Sequence, residues 1–107
     1  MAASKPRGRA QRRAAERAEA KLARARERLA DLEVGGSPGR PIEVESASQV
    51  ETDARARPCT RCGAEGHVAE HTAETIDGAR LRLARMRCPR CGAERVYYYR
   101  LGSALPN

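Results

Sequence analysis

Cys59-Thr60-Arg61-Cys62-Gly63 and Cys88-Pro89-Arg90-Cys91-Gly92 are the two stretches whose reading decides the fold. Each is a C-x-x-C-G, and 25 residues separate Cys62 from Cys88. A C-x-x-C turn offers two thiolates from one tight loop, and zinc takes four such donors in a tetrahedron. The glycine after each second cysteine lets the backbone reverse without a Cβ clash and leaves amides free to point at sulfur. The expected ligands of one structural Zn2+ are therefore Cys59, Cys62, Cys88 and Cys91. Arg61 and Arg90, inside the loops, would help to offset the charge of four thiolates. Four sulfurs also close the coordination sphere, which leaves no position for a catalytic water, and the expectation is a protein that is not an enzyme.

Other uses of four thiols fit the pattern less well. Two disulfides would suit a secreted chain, but no apolar signal core follows Met1 and no stretch reaches transmembrane length. A cytoplasmic protein with no membrane partner is expected. A dithiol redox site needs one C-x-x-C rather than two of matching form. An iron–sulfur centre accepts four cysteines and ranks below zinc. His67, expected to sit across a hairpin from Cys88, reads as an exposed or supporting histidine rather than a replacement ligand. His71 reads as a surface strand residue.

Working outward, residues 58–101 form the cysteine module. His67 to Ile76 alternates, Asp77-Gly78 is a two-residue hairpin turn signal, Arg80 to Arg87 makes the return strand, and Arg95 to Leu101 supplies a third strand rich in β-formers. With this turn, Ile76 faces Ala79, Thr72 faces Leu83, Glu70 faces Arg85 and Ala69 faces Met86. Thr72, Ile76, Leu81 and Leu83 then share one face. The expected fold class is a small metal-stabilised β domain, a three-stranded antiparallel ribbon, preceded by an N-terminal α-helix and a disordered linker.

The remaining divisions follow composition. Residues 1–9 are a basic arm expected to be disordered. Residues 10–34 are rich in Ala, Arg, Glu and Leu, with no Gly or Pro until Gly35-Gly36-Ser37-Pro38, and predict a helix. Ala15, Ala18, Leu22, Ala25, Leu29 and Leu32 make an a/d stripe. That stripe reads either as a short coiled-coil or docking helix, or as a solvated helix whose apolar side touches little, because isolated helices of this length are marginal. Residues 35–57 read as a flexible linker: Ile42 to Val44 alternates briefly, and 46–57 shows neither periodicity nor bulk. Residues 102–107 are a tail expected to fray.

With no Phe or Trp, three Tyr and two Met, the chain has few large core-forming side chains. It cannot bury enough apolar area to order every residue, and the metal stands in for the missing core. The net charge of +7 includes nineteen Arg among 21 basic residues. Residues 1–33 carry +5, residues 34–58 carry −1 and residues 59–107 carry +3. Such a balance favours polyanionic partners non-specifically. Arg80, Arg82, Arg85 and Arg87 on one strand and Arg95, Tyr98 and Arg100 on the next are the candidate nucleic-acid contacts, combining phosphate neutralisation with an aromatic platform. Alternation sends Tyr98 to one face and Tyr97 and Tyr99 to the other, so at least one face is expected to serve as core. Glu74 and Asp77 near the hairpin tip read as a solvated strand residue and a turn residue.

The spacing Cys59-x-x-Cys62-Gly63 … Cys88-Pro89-x-Cys91-Gly92, with a hairpin between, resembles the C4-type zinc-ribbon superfamily over roughly the last 45 residues. It is similar in spacing to the ribbon of transcript-cleavage elongation factors. That family places an adjacent Asp-Glu pair at the hairpin tip, where this chain has Glu74-Thr-Ile-Asp77-Gly78. A helix followed by a cysteine ribbon also resembles bacterial C4-type zinc-ribbon proteins with coiled-coil N-termini. The resemblance implies a zinc ribbon that binds DNA, RNA or protein. The expected function is a non-enzymatic zinc module that binds nucleic acid or a transcription or translation complex. The alternative is a protein-interaction adaptor using the N-terminal helix, self-associating weakly or docking on a partner, with a purely structural metal.

Overall fold

A computed structural model describes residues 8–102. The elements in chain order are α1 (Arg9–Leu32), β1 (Ile42–Val44), α2 (Ala47–Arg55), β2 (His67–Ile76), β3 (Ala79–Arg87) and β4 (Glu94–Leu101). The basic arm and the tail fall outside the described residues, except that Gly8 caps α1, Arg9 begins it, and the Gly102 amide donates to the Val44 carbonyl.

The hairpin follows its turn. Asp77 (φ 50°) and Gly78 (φ 82°) both take left-handed backbone, as a type I′ turn requires. Ile76 faces Ala79, Thr72 faces Leu83 and Glu70 faces Arg85, the expected register. Between Val68 and Glu70 the pairing shifts, so Val68 rather than Ala69 faces Met86. His67 consequently faces Arg87 and not Cys88. A bulge inserts one unpaired residue and adds local twist.

The sheet differs from the expected ribbon. It is four-stranded and mixed, in the order β1-β4-β3-β2, with β1 parallel to β4 through Ile42 opposite Tyr99 and Val44 opposite Leu101. The other correction concerns residues 46–57, expected to lack fixed structure. Nine of them form α2, which lies across one face of the sheet and touches all four strands. Ser46 starts it, and the Gln49 side chain reaches back to accept from the Ser46 amide at 3.3 Å and the Glu45 amide at 2.6 Å. This is the reach-back half of a capping box. Val50 and Ala54, four apart and so on one side of the helix, are both completely buried.

Core and face are thereby fixed. Val50 and Ala54 pack with Ile42, Ala84, Met86, Tyr97 and Tyr99 in one cluster. Tyr97 and Tyr99 serve as core on the α2 side, and Tyr98 lies half-buried on the other. Thr72, Ile76, Leu81 and Leu83 share a face as expected, but it is the face turned away from α2; of the four only Leu81 is buried. Asp53 of α2 accepts from the Tyr99 hydroxyl at 2.7 Å and from Arg57 Nε at 2.7 Å. His71 is likewise not a plain surface residue. Its side chain is 14% exposed and its Nδ1 lies 3.0 Å from Glu51 Oε2 of α2.

α1 is set apart. Its alanine-rich sequence suits a helix, but apart from an ion pair between Asp31 and Arg95 of β4 its length stands clear of the other elements, and Ala30 is its one buried residue. The molecule measures 71 × 23 × 20 Å. The rod is attached at its C-terminal end, where Arg40 Nη1 donates to the Leu32 carbonyl at 2.6 Å and the Gly35 carbonyl accepts from the Tyr98 amide at 2.9 Å. Gly35 is buried at φ 91°, and a Cβ there would collide with the Ile42 side chain.

Candidate metal centre

The two knuckles close in the same way because their sequences are nearly the same. Cys59 to Glu65 and Cys88 to Glu94 read C-x-R-C-G-A-E and differ only at Thr60 and Pro89. In the first, the Gly63 amide donates to the Cys59 carbonyl at 2.8 Å and the Cys59 amide to the Ala64 carbonyl at 2.8 Å. In the second, Gly92 to Cys88 and Cys88 to Ala93 repeat these bonds at 2.9 Å. Gly63 (φ 79°) and Gly92 (φ 78°) make the left-handed step that side-chain-bearing residues avoid. The first knuckle precedes β2 and the second joins β3 to β4, so the antiparallel β2–β3 pair brings both to one end of the sheet.

The four sulfurs meet there. Cys59, Cys62, Cys88 and Cys91 place their Sγ atoms within 4.8 Å of one another. The Cys62–Cys88 pair is 3.5 Å apart and the Cys59–Cys91 pair 3.7 Å. A tetrahedron with metal–sulfur bonds of about 2.3 Å has edges of about 3.8 Å, so the spacing suits one ion at the centre. The cysteines are free thiols, not disulfides. The Arg61 amide points at Cys59 Sγ from 3.3 Å, the kind of hydrogen bond that stabilises a bound thiolate. Arg61 and Arg90 are exposed beside the site.

Electrostatics point the same way. The Cys91 amide, working against burial and aided by the Arg90 amide, draws the Cys88 thiol down to about 6. The Ala93 amide favours the Cys91 thiolate, but burial and the three neighbouring sulfurs outweigh it and push Cys91 up to about 11. One thiolate forms readily and makes the next harder to form, as expected where four sulfurs converge. The four cysteines are placed to coordinate a metal ion.

Neither histidine joins this cluster. His67 is exposed, and His71 is held by Glu51. The links from α2, Asp53 to Tyr99 and Glu51 to His71, are contacts of the supporting sheet that the sequence reading missed. The Ser46-Ala47-Ser48-Gln49 capping signal ahead of Val50 is the feature that points to them.

The expected nucleic-acid stripe is divided. Strand alternation puts Arg80 and Arg82 on the α2 side and Arg85 and Arg87 on the opposite face, where Tyr98 and Arg100 also lie. Arg95 is turned inward instead of being offered to a partner. Its side chain is 14% exposed, its guanidinium lies 5.6 Å from the Tyr97 ring centroid, and Nη2 is 3.1 Å from Asp31. The open face sets Arg85, Arg87 and Arg100 among Glu43, Glu70, Glu74 and Glu94. Arg85 Nε pairs with Glu70 at 3.3 Å and Arg100 with Glu43. At the hairpin tip Glu74 accepts from the Thr72 hydroxyl at 3.3 Å. Among the described residues no helix is long and apolar enough to cross a membrane.

Compared with protein-family models, curated proteins and solved structures, the chain matches none of them.

Proposed function

We propose that this chain is a non-enzymatic module in which Cys59, Cys62, Cys88 and Cys91 hold one structural Zn2+, and which binds nucleic acid or an assembly built on it. The observation that carries the metal half is the convergence of four sulfurs within 4.8 Å with two edges near tetrahedral length. An all-thiolate donor set favours zinc among available ions. It leaves no coordination position for substrate, which supports a structural rather than a catalytic role. The partner half is supported by the net charge of +7, since counterion release rewards basic surfaces on nucleic acid.

Metal analysis of the purified protein with titration of released thiols tests the first half. One zinc per chain and four thiols that react only after chelation are expected. Thiols alkylated at full rate in the metal-loaded protein would instead indicate redox chemistry. For the second half, duplex and single-stranded DNA and RNA are titrated at several salt concentrations. Absence of binding at low salt would overturn it.

A second reading is favoured by a separate observation. Leu22, Leu29 and Leu32 are 51%, 61% and 67% exposed on a helix most of whose length stands clear of the sheet. An adaptor that docks or dimerises through α1 would cover them. Sedimentation of the protein beside Leu22→Glu/Leu29→Glu decides on self-association, because a monomer unchanged by the substitutions excludes it.

A further inference from the structure

Eight Lys/Arg and four Asp/Glu lie along α1, and they are not mixed evenly. At 3.6 residues per turn, Arg13, Arg17, Lys21, Arg24 and Arg28 fall within an arc of about 80°. Their spacing of four, four, three and four residues keeps them in one row over about 22 Å of helix axis. All five are exposed, and none is paired with a carboxylate among the described residues. Glu16, Glu19 and Glu27 fall on other arcs of the helix. Asp31, at the end of the row, lies 3.1 Å from Arg95.

Elsewhere in the described chain the basic residues are more dispersed and more nearly balanced by acidic ones. Residues 33–102 carry eleven Lys/Arg against ten Asp/Glu, and the open sheet face sets three Arg among four Glu. The unpaired positive charge is concentrated on the helix that stands clear of the sheet.

We infer that the row Arg13, Arg17, Lys21, Arg24 and Arg28 on α1 is the phosphate-binding surface of this protein, and that it takes the backbone of a nucleic-acid duplex without reading its sequence. The inference rests on the nucleic-acid reading above and moves the contact from the sheet to the helix. A straight, regularly spaced row of cations suits the regular phosphate lattice of a duplex, which carries one charge per about 1.7 Å of axis. Single-strand binding uses aromatic platforms for the bases, and α1 contains no aromatic residue. The row is also almost all guanidinium, the group that makes bidentate bonds to phosphate. Contacts to phosphates carry no sequence information directly, so a row that engages only the backbone takes unrelated duplexes alike.

The full-length protein is titrated with B-form DNA duplexes of two unrelated sequences, with single-stranded DNA, and with vesicles containing phosphatidylserine, across a salt series. The variants are Arg17→Gln/Lys21→Gln/Arg24→Gln, which keeps good helix formers, and Arg85→Gln/Arg87→Gln/Arg100→Gln on the open sheet face. Circular dichroism checks that α1 remains helical. The expected result is binding of both duplexes alike, with the helix variant lowering the slope of log K against log salt by about 2.7, or about 0.9 per lost contact. The sheet variant leaves that slope nearly unchanged. Duplex binding lost in the sheet variant but kept in the helix variant overturns this inference and leaves the nucleic-acid reading standing. Tighter binding to single strands than to duplexes overturns the duplex assignment. Binding to vesicles alone, or no binding at all, overturns both.

Discussion

α1 and the sheet with its knuckles divide the labour of this small protein between charge and core. α1 carries eight basic residues against four acidic ones and contributes one buried residue. Residues 33–102 are nearly balanced in charge and supply every other member of the buried core. The contrast shows why the proposed metal would be needed at one end only. The sheet must be ordered by residues too small and too few to do it alone, with Tyr99, Leu81 and Val50 as the largest side chains fully buried. The rod has no such requirement, since a helix satisfies its backbone hydrogen bonds internally.

The contrast breaks most visibly if the proposed metal is removed. Chelation, or Cys88→Ser at the one buried cysteine, is expected to abolish the cooperative thermal transition of the sheet, because metal binding contributes roughly 10 kcal/mol or more to the folding of such sites. A transition with an unchanged midpoint after chelation would show that sheet and metal are independent. Next in size is Gly35→Ala, where the rod meets the sheet. The new Cβ is strained at φ 91° and runs into Ile42, and a loss of about 2–4 kcal/mol in denaturant unfolding is expected. An unaltered midpoint would mean that the junction adapts freely.

A smaller effect separates the regions by pH. Burial opposes the charge on Asp53, but the Arg57 and Tyr99 hydrogen bonds and the Arg57 charge outweigh it and hold the carboxyl below its ordinary range. Folding thus favours the ionised form. Its contribution is complete above the unfolded value, about 3.9, and is lost as pH falls through the lower folded value. Asp53→Asn should flatten that part of the acid-unfolding curve, and an unchanged curve would assign it to other carboxylates. The smallest effect is expected on the rod. Leu22→Ala and Leu29→Ala should shift unfolding of the sheet by no more than about 0.5 kcal/mol, since surface substitutions away from packed features rarely do more. A larger loss would reveal that α1 is covered in solution.

What could be read in the sequence follows the same division. The cysteine cluster was legible because C-x-x-C-G has few structural uses, and the hairpin because Asp77-Gly78 fixes its register. The bulge near Ala69 was not legible, since the alternation of β2 continues through it without a Gly or Pro to mark a break. α2 escaped because it is nine residues long and buries only a valine and an alanine completely. Periodicity is a weak signal in so short and polar a segment. The four-arginine strand suggested one surface, but the pleat of β3 placed its members on two faces. Ile42 to Val44, read as a brief alternation inside a linker, forms the sheet's fourth strand, and its pairing with β4 depends on contacts no local pattern contains.

That pairing has a kinetic consequence. Ile42 lies 57 residues before Tyr99, its partner across the parallel ladder. At synthesis rates of roughly 5–20 residues per second, β1 waits several seconds before β4 exists. Over that interval the α2 residues Val50 and Ala54 also lack the tyrosines they will cover. Loop closure across so long a separation is entropically slow to nucleate, so the hairpin and the second knuckle should assemble first and β1 and α2 should dock last. The α1 segment is therefore charged and exposed before the domain it belongs to has a core.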